Sequence, residues 1–174
     1  MVSSLRVLAL SECELASANQ SLPHLNLTKH ERLDLSLNLF NHTVASCWFW
    51  GLTTSLKYLS VSAILSGQIP DALAAMTSLQ VLDFSGFRNS VTVPPYLLRN
   101  LCSLEILNLE LSLASGNMTE FLVSLQQNCS SHKKIQQLNL AGNFINGTLP
   151  WDEPIYQLSH PPTPKQQNNW TRSS

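Results

Sequence analysis

Apolar and polar positions alternate along this chain in one short phrase, and its six copies set the expected elements. They read LRVLALSECEL from Leu5, HERLDLSLNLF from His30, LKYLSVSAIL from Leu56, LQVLDFSGFRN from Leu79, LEILNLELSLA from Leu104 and IQQLNLAGNFI from Ile135. Each follows L-x-x-L-x-L-x-x-N-x-L, and successive copies start 25, 26, 23, 25 and 31 residues apart. Positions 1, 4 and 6 point inward and the residues between them outward, as a short half-buried strand requires. A unit of this length cannot bury its apolar side alone, so it must stack on its neighbours. Six strands at about 4.8 Å make a parallel sheet roughly 25 Å long.

The architecture expected is an α/β leucine-rich-repeat solenoid. It has about six coils, a parallel sheet on the concave face, and short helical or irregular returns. Asn at position 9 normally bonds backbone of the adjoining coil. By position, only Asn38 and Asn143 keep it. Cys13, Phe87 and Ser112 stand in its place, and the third copy is one residue short around Ile64, so the ladder reads as eroded. Cys13 is expected to be a small buried thiol there, and His30 a partly exposed strand-edge histidine. Ile69-Pro70 before DALAAM and Val93-Pro94-Pro95 before YLLRNL predict turns into short helical segments, because proline opens such segments without losing a needed donor. TEFLVSLQQN predicts a helix with Thr119 as N-cap and Phe121, Leu122 and Leu125 on one face. Residues 1–150 form the uncapped solenoid. Residues 151–174, rich in Pro, Gln and Asn and free of the phrase, are expected to be extended or disordered.

Charge and composition narrow the function. The net charge is −1 and no run of Lys or Arg exceeds two residues, which does not support a nucleic-acid or anionic-membrane surface. The N-terminal MVSSLRVLALSEC enters the first copy without a signal-peptide core, and no stretch approaches the ~18–20 apolar residues of a membrane span. Seven N-x-S/T sequons, at Asn19, Asn26, Asn41, Asn117, Asn128, Asn146 and Asn169, nevertheless exceed the roughly three expected by chance. They point to a secreted glycoprotein that has lost its leader. Cys102 and Cys129 each precede a strand on successive coils, where they face one another as a disulfide or remain free thiols.

No phosphate loop, dinucleotide fingerprint, zinc-protease motif or nucleophile elbow occurs, and the acidic residues do not assemble into a catalytic carboxylate pair. An enzyme is not indicated, nor any metal or other cofactor. Recognition then falls to the outward residues of the concave sheet, where successive coils align columns of side chains. Position 2 supplies Arg6, Glu31, Lys57, Gln80, Glu105 and Gln136. Position 3 includes Arg32 and Tyr58, and position 5 includes Asp34, Ser60, Asp83, Asn108 and Asn139. Arg and Tyr are enriched at interaction hot spots, which singles out Arg32–Tyr58.

Ser66-Gly67-Gln68-Ile69-Pro70 and Asn146-Gly147-Thr148-Leu149-Pro150 share a G-x-[IL]-P ending. With the 23–25-residue spacing, this resembles the plant extracellular class of repeat. FNHTVASCWFWGLTTSLKYLSVS and NLCSLEILNLELSLASGNMTEFLVSLQQNCSSHKKIQQLNLAGNFINGTLP resemble internal ectodomain segments of plant receptor-like proteins. The nearest type is that of the fungal-xylanase and Cladosporium-resistance receptors. The resemblance implies a parent anchored in the plasma membrane, facing outward. Such a parent binds a peptide or protein ligand and signals through a co-receptor kinase in defence or development. A secreted inhibitor of a microbial wall-degrading enzyme, similar to polygalacturonase inhibitors, uses the same solenoid, and a truncated non-functional fragment is the third reading.

Overall fold

The computed structural model describes residues 5–18, 29–51, 55–62, 64–86, 89–126, 129 and 135–148. Asn19, Asn26, Asn128 and Asn169, Phe87, and the segment 151–174 lie outside the described residues.

In chain order the strands are β1 (Val7–Ala9), β2 (Arg32–Asp34), β3 (Asn41–Thr43), β4 (Tyr58–Ser60), β5 (Ile64–Gln68) and β6 (Val81–Asp83). They continue with β7 (Ser90–Thr92), β8 (Ile106–Asn108), β9 (Gly116–Asn117), β10 (Gln137–Asn139) and β11 (Ile145–Asn146). Among the described residues one α-helix, α1, spans Met118–Gln126. Six strands, β1-β2-β4-β6-β8-β10, form a single parallel sheet, one from each phrase. The register places Leu8, Leu33, Leu59, Leu82, Leu107 and Leu138 in one row. The central four are fully buried. In the first five coils each position-2 carbonyl accepts two N–H groups from the next coil. The Glu31 carbonyl, for instance, takes Lys57 N at 2.8 Å and Tyr58 N at 3.0 Å.

A second set of strands follows the first on the second to sixth coils. β3-β5-β7 form a three-stranded parallel sheet and β9-β11 a two-stranded one. The phrase does not announce them. Register shows that the third coil is shorter here than the sequence suggests. It runs from Ser60 to Ser66 across a step for which the second coil uses Asp34 to Thr43, three residues more.

The returns are 3₁₀ segments at Val44–Ser46, Trp48–Gly51, Asp71–Ala75 and Pro95–Asn100. Pro70 and Pro94 sit in extended or near-extended conformation immediately before the last two, where a missing donor costs nothing. Their apolar residues Leu73, Leu97 and Leu98 enter the common core with Phe121, Leu122 and Leu125 of α1. The second coil adds aromatics. Phe49 and Trp50 lie 4.9 Å apart, Trp50 stacks on Phe84 at 6.1 Å, and Trp50 Nε1 donates to the Val44 carbonyl at 2.7 Å.

The Asn ladder is more complete than the phrase implies. Asn89, two residues beyond position 9, takes over from Phe87. Its Oδ1 accepts Leu65 N at 2.8 Å and its Nδ2 donates to the Phe84 carbonyl at 2.7 Å. Asn38 accepts from Cys13 N and Leu15 N and donates to the Leu10 carbonyl. Asn143 accepts from Ser112 N and Leu113 N and donates to the Leu109 carbonyl. Asparagine therefore stands on every second coil and serves the coil before it. In the fifth coil, Ser112 Oγ donates to the Leu109 carbonyl at 2.8 Å, replacing half of that role.

Three further expectations change. Cys13 is exposed, because position 9 of the first coil has no described coil before it to cover the thiol. His30 is fully buried, since position 1 points into the stack whatever residue fills it. The helix begins at Met118 with Asn117 before it. Asn117 Oδ1 accepts Glu120 N at 3.2 Å, whereas Thr119 lies inside the first turn and donates to the Thr148 carbonyl.

Position 8 carries a second unannounced regularity. Glu12, Leu37 and Leu111 have φ near 55°, and Gly142, their equivalent in the sixth coil, has φ 68°. The chain leaves each of these strands through a left-handed residue at this position, with Glu14 (φ 55°) a second one in the first coil, a conformation that costs a non-glycine roughly 1–2 kcal/mol. A Cβ on Gly142 would also run into Leu111 Cδ2 and stand 2.9 Å from its Cγ.

Candidate ligand-recognition face

The outward residues of the large sheet form the candidate site, and the parallel register aligns them in columns. In the position-2 column, Glu31 lies between two cations. Arg6 Nε is 3.2 Å from its Oε1 and Lys57 Nζ 3.0 Å from its Oε2. The Lys57 hydrogen bond, then the charges of Arg6 and Lys57, hold the Glu31 carboxyl below its ordinary range. All three groups are substantially exposed, so the chain of ion pairs orders the surface more than it stabilises the fold. Gln80, Glu105 and Gln136 continue the column, with Glu105 half-buried and the two glutamines exposed.

Position 3 holds the best-ordered feature. The Arg32 guanidinium carbon sits 3.5 Å from the Tyr58 ring centroid, over its face, and Nη2 lies 3.3 Å from Asp34 Oδ2. The planar cation is held flat by the ring on one side and directed by a carboxylate on another. Its donors are thus held in one orientation, an arrangement that lowers the ordering cost of any contact made to them. About two-fifths of the Arg32 side chain remains open to solvent.

Position 5 serves the fold first. Asp34, Asp83, Asn108 and Asn139 each accept the backbone N–H two residues on, at 3.2, 2.9, 3.2 and 3.1 Å, from Ser36, Ser85, Glu110 and Ala141. These Asx turns close the strand ends, the local role such short polar side chains perform well. Asn139 also donates to Glu110 Oε2 at 2.9 Å. Ser60 is buried at 4% exposure and cannot meet a ligand. Position 5 was legible as polar and outward. Its turn role was not.

Charge divides the face. The cations Arg6, Arg32 and Lys57 all lie in the first three coils, paired with Glu31 and Asp34, whereas the fourth and fifth present only acidic charge, Asp83, Glu105 and Glu110, among Val81, Ile106 and Asn108. Among the described residues, no group of three or more His, Cys, Asp or Glu is placed to hold a metal ion. No described helix is long and apolar enough to cross a membrane.

On the flank that precedes the strands of the large sheet, Cys102 and Cys129 are joined by a disulfide with Cα atoms 5.6 Å apart. The bridge ties the turn after Pro95–Asn100 to the chain beyond α1. Cys47 is a buried free thiol whose pKa burial pushes up to about 12.

Solved structures share this fold. A TDR receptor aligns at 27% identity with TM-score 0.57, over 72% of this chain and 20% of that one. The plant peptide hormone receptor RGFR1 in complex with RGF2 aligns at 21% identity with TM-score 0.56, over 72% of this chain and 19% of that one. The fold is that of leucine-rich-repeat receptors. This chain spans about a fifth of the length of either structure. No family model matches the sequence, and no curated protein matches it well enough to count as a relative.

Proposed function

We propose that this chain is an extracellular ligand-recognition segment of a plant receptor-like protein and that its large sheet binds an extended peptide. The observation that carries the reading is Arg32, pre-set on Tyr58 at 3.5 Å on an open sheet. The fold it shares with a receptor solved with a peptide hormone supports the same reading. The division of charge adds a direction. Cations in the first three coils suit an acidic ligand end, and the acidic fourth and fifth coils suit a basic one. Anchorage of the parent at the plasma membrane, signalling through a co-receptor kinase, and a role in defence or development belong to the same proposal.

Surface plasmon resonance on the 174-residue chain tests it, using a panel of synthetic extended peptides with acidic, neutral, basic and acid-to-base sequences. The acid-to-base peptides bind best, and the double variant Arg32→Glu, Lys57→Glu weakens them at least tenfold. Equal binding by wild type and variant removes these residues from the site.

A further inference from the structure

Asn117 and Asn146 face each other across the strand pair β9–β11. The strands are parallel, with Gly116 opposite Ile145 and Asn117 opposite Asn146. The two side chains therefore leave the same face about one strand spacing, or ~4.8 Å, apart. Both are exposed, and both open an N-x-T sequon, Asn117-Met118-Thr119 and Asn146-Gly147-Thr148. The sequons also interlock, since Thr119 Oγ1 donates to the Thr148 carbonyl at 2.8 Å. Asn117 Oδ1 is engaged by Glu120 N. A Cβ placed on Gly147 would lie only 3.1 Å from that oxygen and 3.2 Å from Met118 N. The two coils leave no spare width at this level.

We propose that Asn117 and Asn146 form one acceptor site that carries a single N-linked glycan per folded molecule, on either residue and never on both. The inference rests on the extracellular reading above. In the transfer, the amide Nδ2 bonds to the anomeric carbon of an oligosaccharide carried on a lipid pyrophosphate. The bond from that carbon to the pyrophosphate oxygen breaks, the lipid pyrophosphate departs, and Nδ2 releases one proton. The helix cap uses Oδ1, so a glycan on Asn117 Nδ2 leaves the cap in place. What the geometry excludes is the pair. A hydrated sugar ring is wider than the strand spacing, and two branched glycans rooted side by side would force apart the register that the cap and the Thr119–Thr148 bond hold. Asn41 supplies the contrast. It is exposed on β3 and its register partner on β5 is Ile64, so no second sequon lies opposite it on that strand. Glycans at both places would rise from the strands that follow the recognition sheet, leaving that sheet open.

The test is glycopeptide mapping with intact mass on the full chain, secreted from plant cells behind an added leader. The variants are Asn117→Asp, Asn146→Asp and the double; aspartate at 117 keeps the capping oxygen but ends the sequon. The pair carries one glycan in wild type, one in each single variant and none in the double. Thr148→Ala, which ends the second sequon without touching either asparagine, also leaves one, on Asn117. Two glycans on one wild-type molecule overturn the inference, as does an empty pair beside a glycosylated Asn41; either outcome leaves the extracellular reading standing. A secreted product with no glycan at any sequon overturns both.

Discussion

The second to fifth coils and the two outer ones are written in the same phrase and end in different states. Leu33, Leu59, Leu82 and Leu107 are fully buried, whereas Leu8 is half-buried and Leu138 is 37% exposed. The sequence of a single coil does not set this burial. Each inward leucine is covered by the coils on either side, and the first and sixth have a described neighbour on one side only. Stability in such a stack belongs to the interfaces between coils rather than to the coils themselves.

The largest effect that would break this comparison is a cavity in the middle. Leu82→Ala is expected to cost about 3–5 kcal/mol, against less than about 1 kcal/mol for Leu138→Ala, in urea unfolding followed by circular dichroism. Equal costs would mean that the coils are independent units. Next in size is the Cys102–Cys129 bridge, which closes 27 residues across the return of the fifth coil. Reduction is expected to remove about 3–4 kcal/mol by restoring loop entropy to the unfolded chain, read as a lower Tm with reductant. The loss should concentrate in the sixth coil, whose own burial is weakest.

The ladder sharpens the contrast further. Asn89→Ala strands the buried Leu65 N–H and Phe84 carbonyl and is expected to cost about 2–3 kcal/mol. Asn143 is only half-buried, so Asn143→Ala should cost roughly half as much on the same denaturation assay. The free thiols provide a non-energetic version. An alkylating reagent on the native protein is expected to label exposed Cys13 and leave Cys47, which is buried and held as the thiol, until unfolding.

The smallest effect concerns Glu31, whose folded pKa lies below its unfolded one. The folded state therefore gains stability above the unfolded pKa and loses it as pH falls through the folded one. Glu31→Gln should flatten a slight acid-side slope in stability, and salt should erase the difference, because the pairs are exposed.

The sheet was legible almost entirely, since all six strands fall at positions 3 to 5 of the phrase and pair in the order of the chain. The strands β3, β5, β7, β9 and β11 were not. They are two to five residues long, lack a sustained alternation, and exist because adjoining coils place extended backbone side by side. Asn89 was missed because a fixed spacing was applied where the turn holds two extra residues. Of the candidate face, the columns and the Arg32–Tyr58 pairing followed from period alone. The turn-closing use of Asp34, Asp83, Asn108 and Asn139 did not, because an outward polar residue looks the same whether it waits for a ligand or bonds its own backbone.

Amide hydrogen exchange resolved coil by coil tests the stacking most directly. Protection should peak at Leu59 and Leu82 in β4 and β6, fall through β2 and β8, and be lowest in β1 and β10. Equal protection in all six strands, or a break between β4 and β6, would contradict a single core built by neighbouring coils.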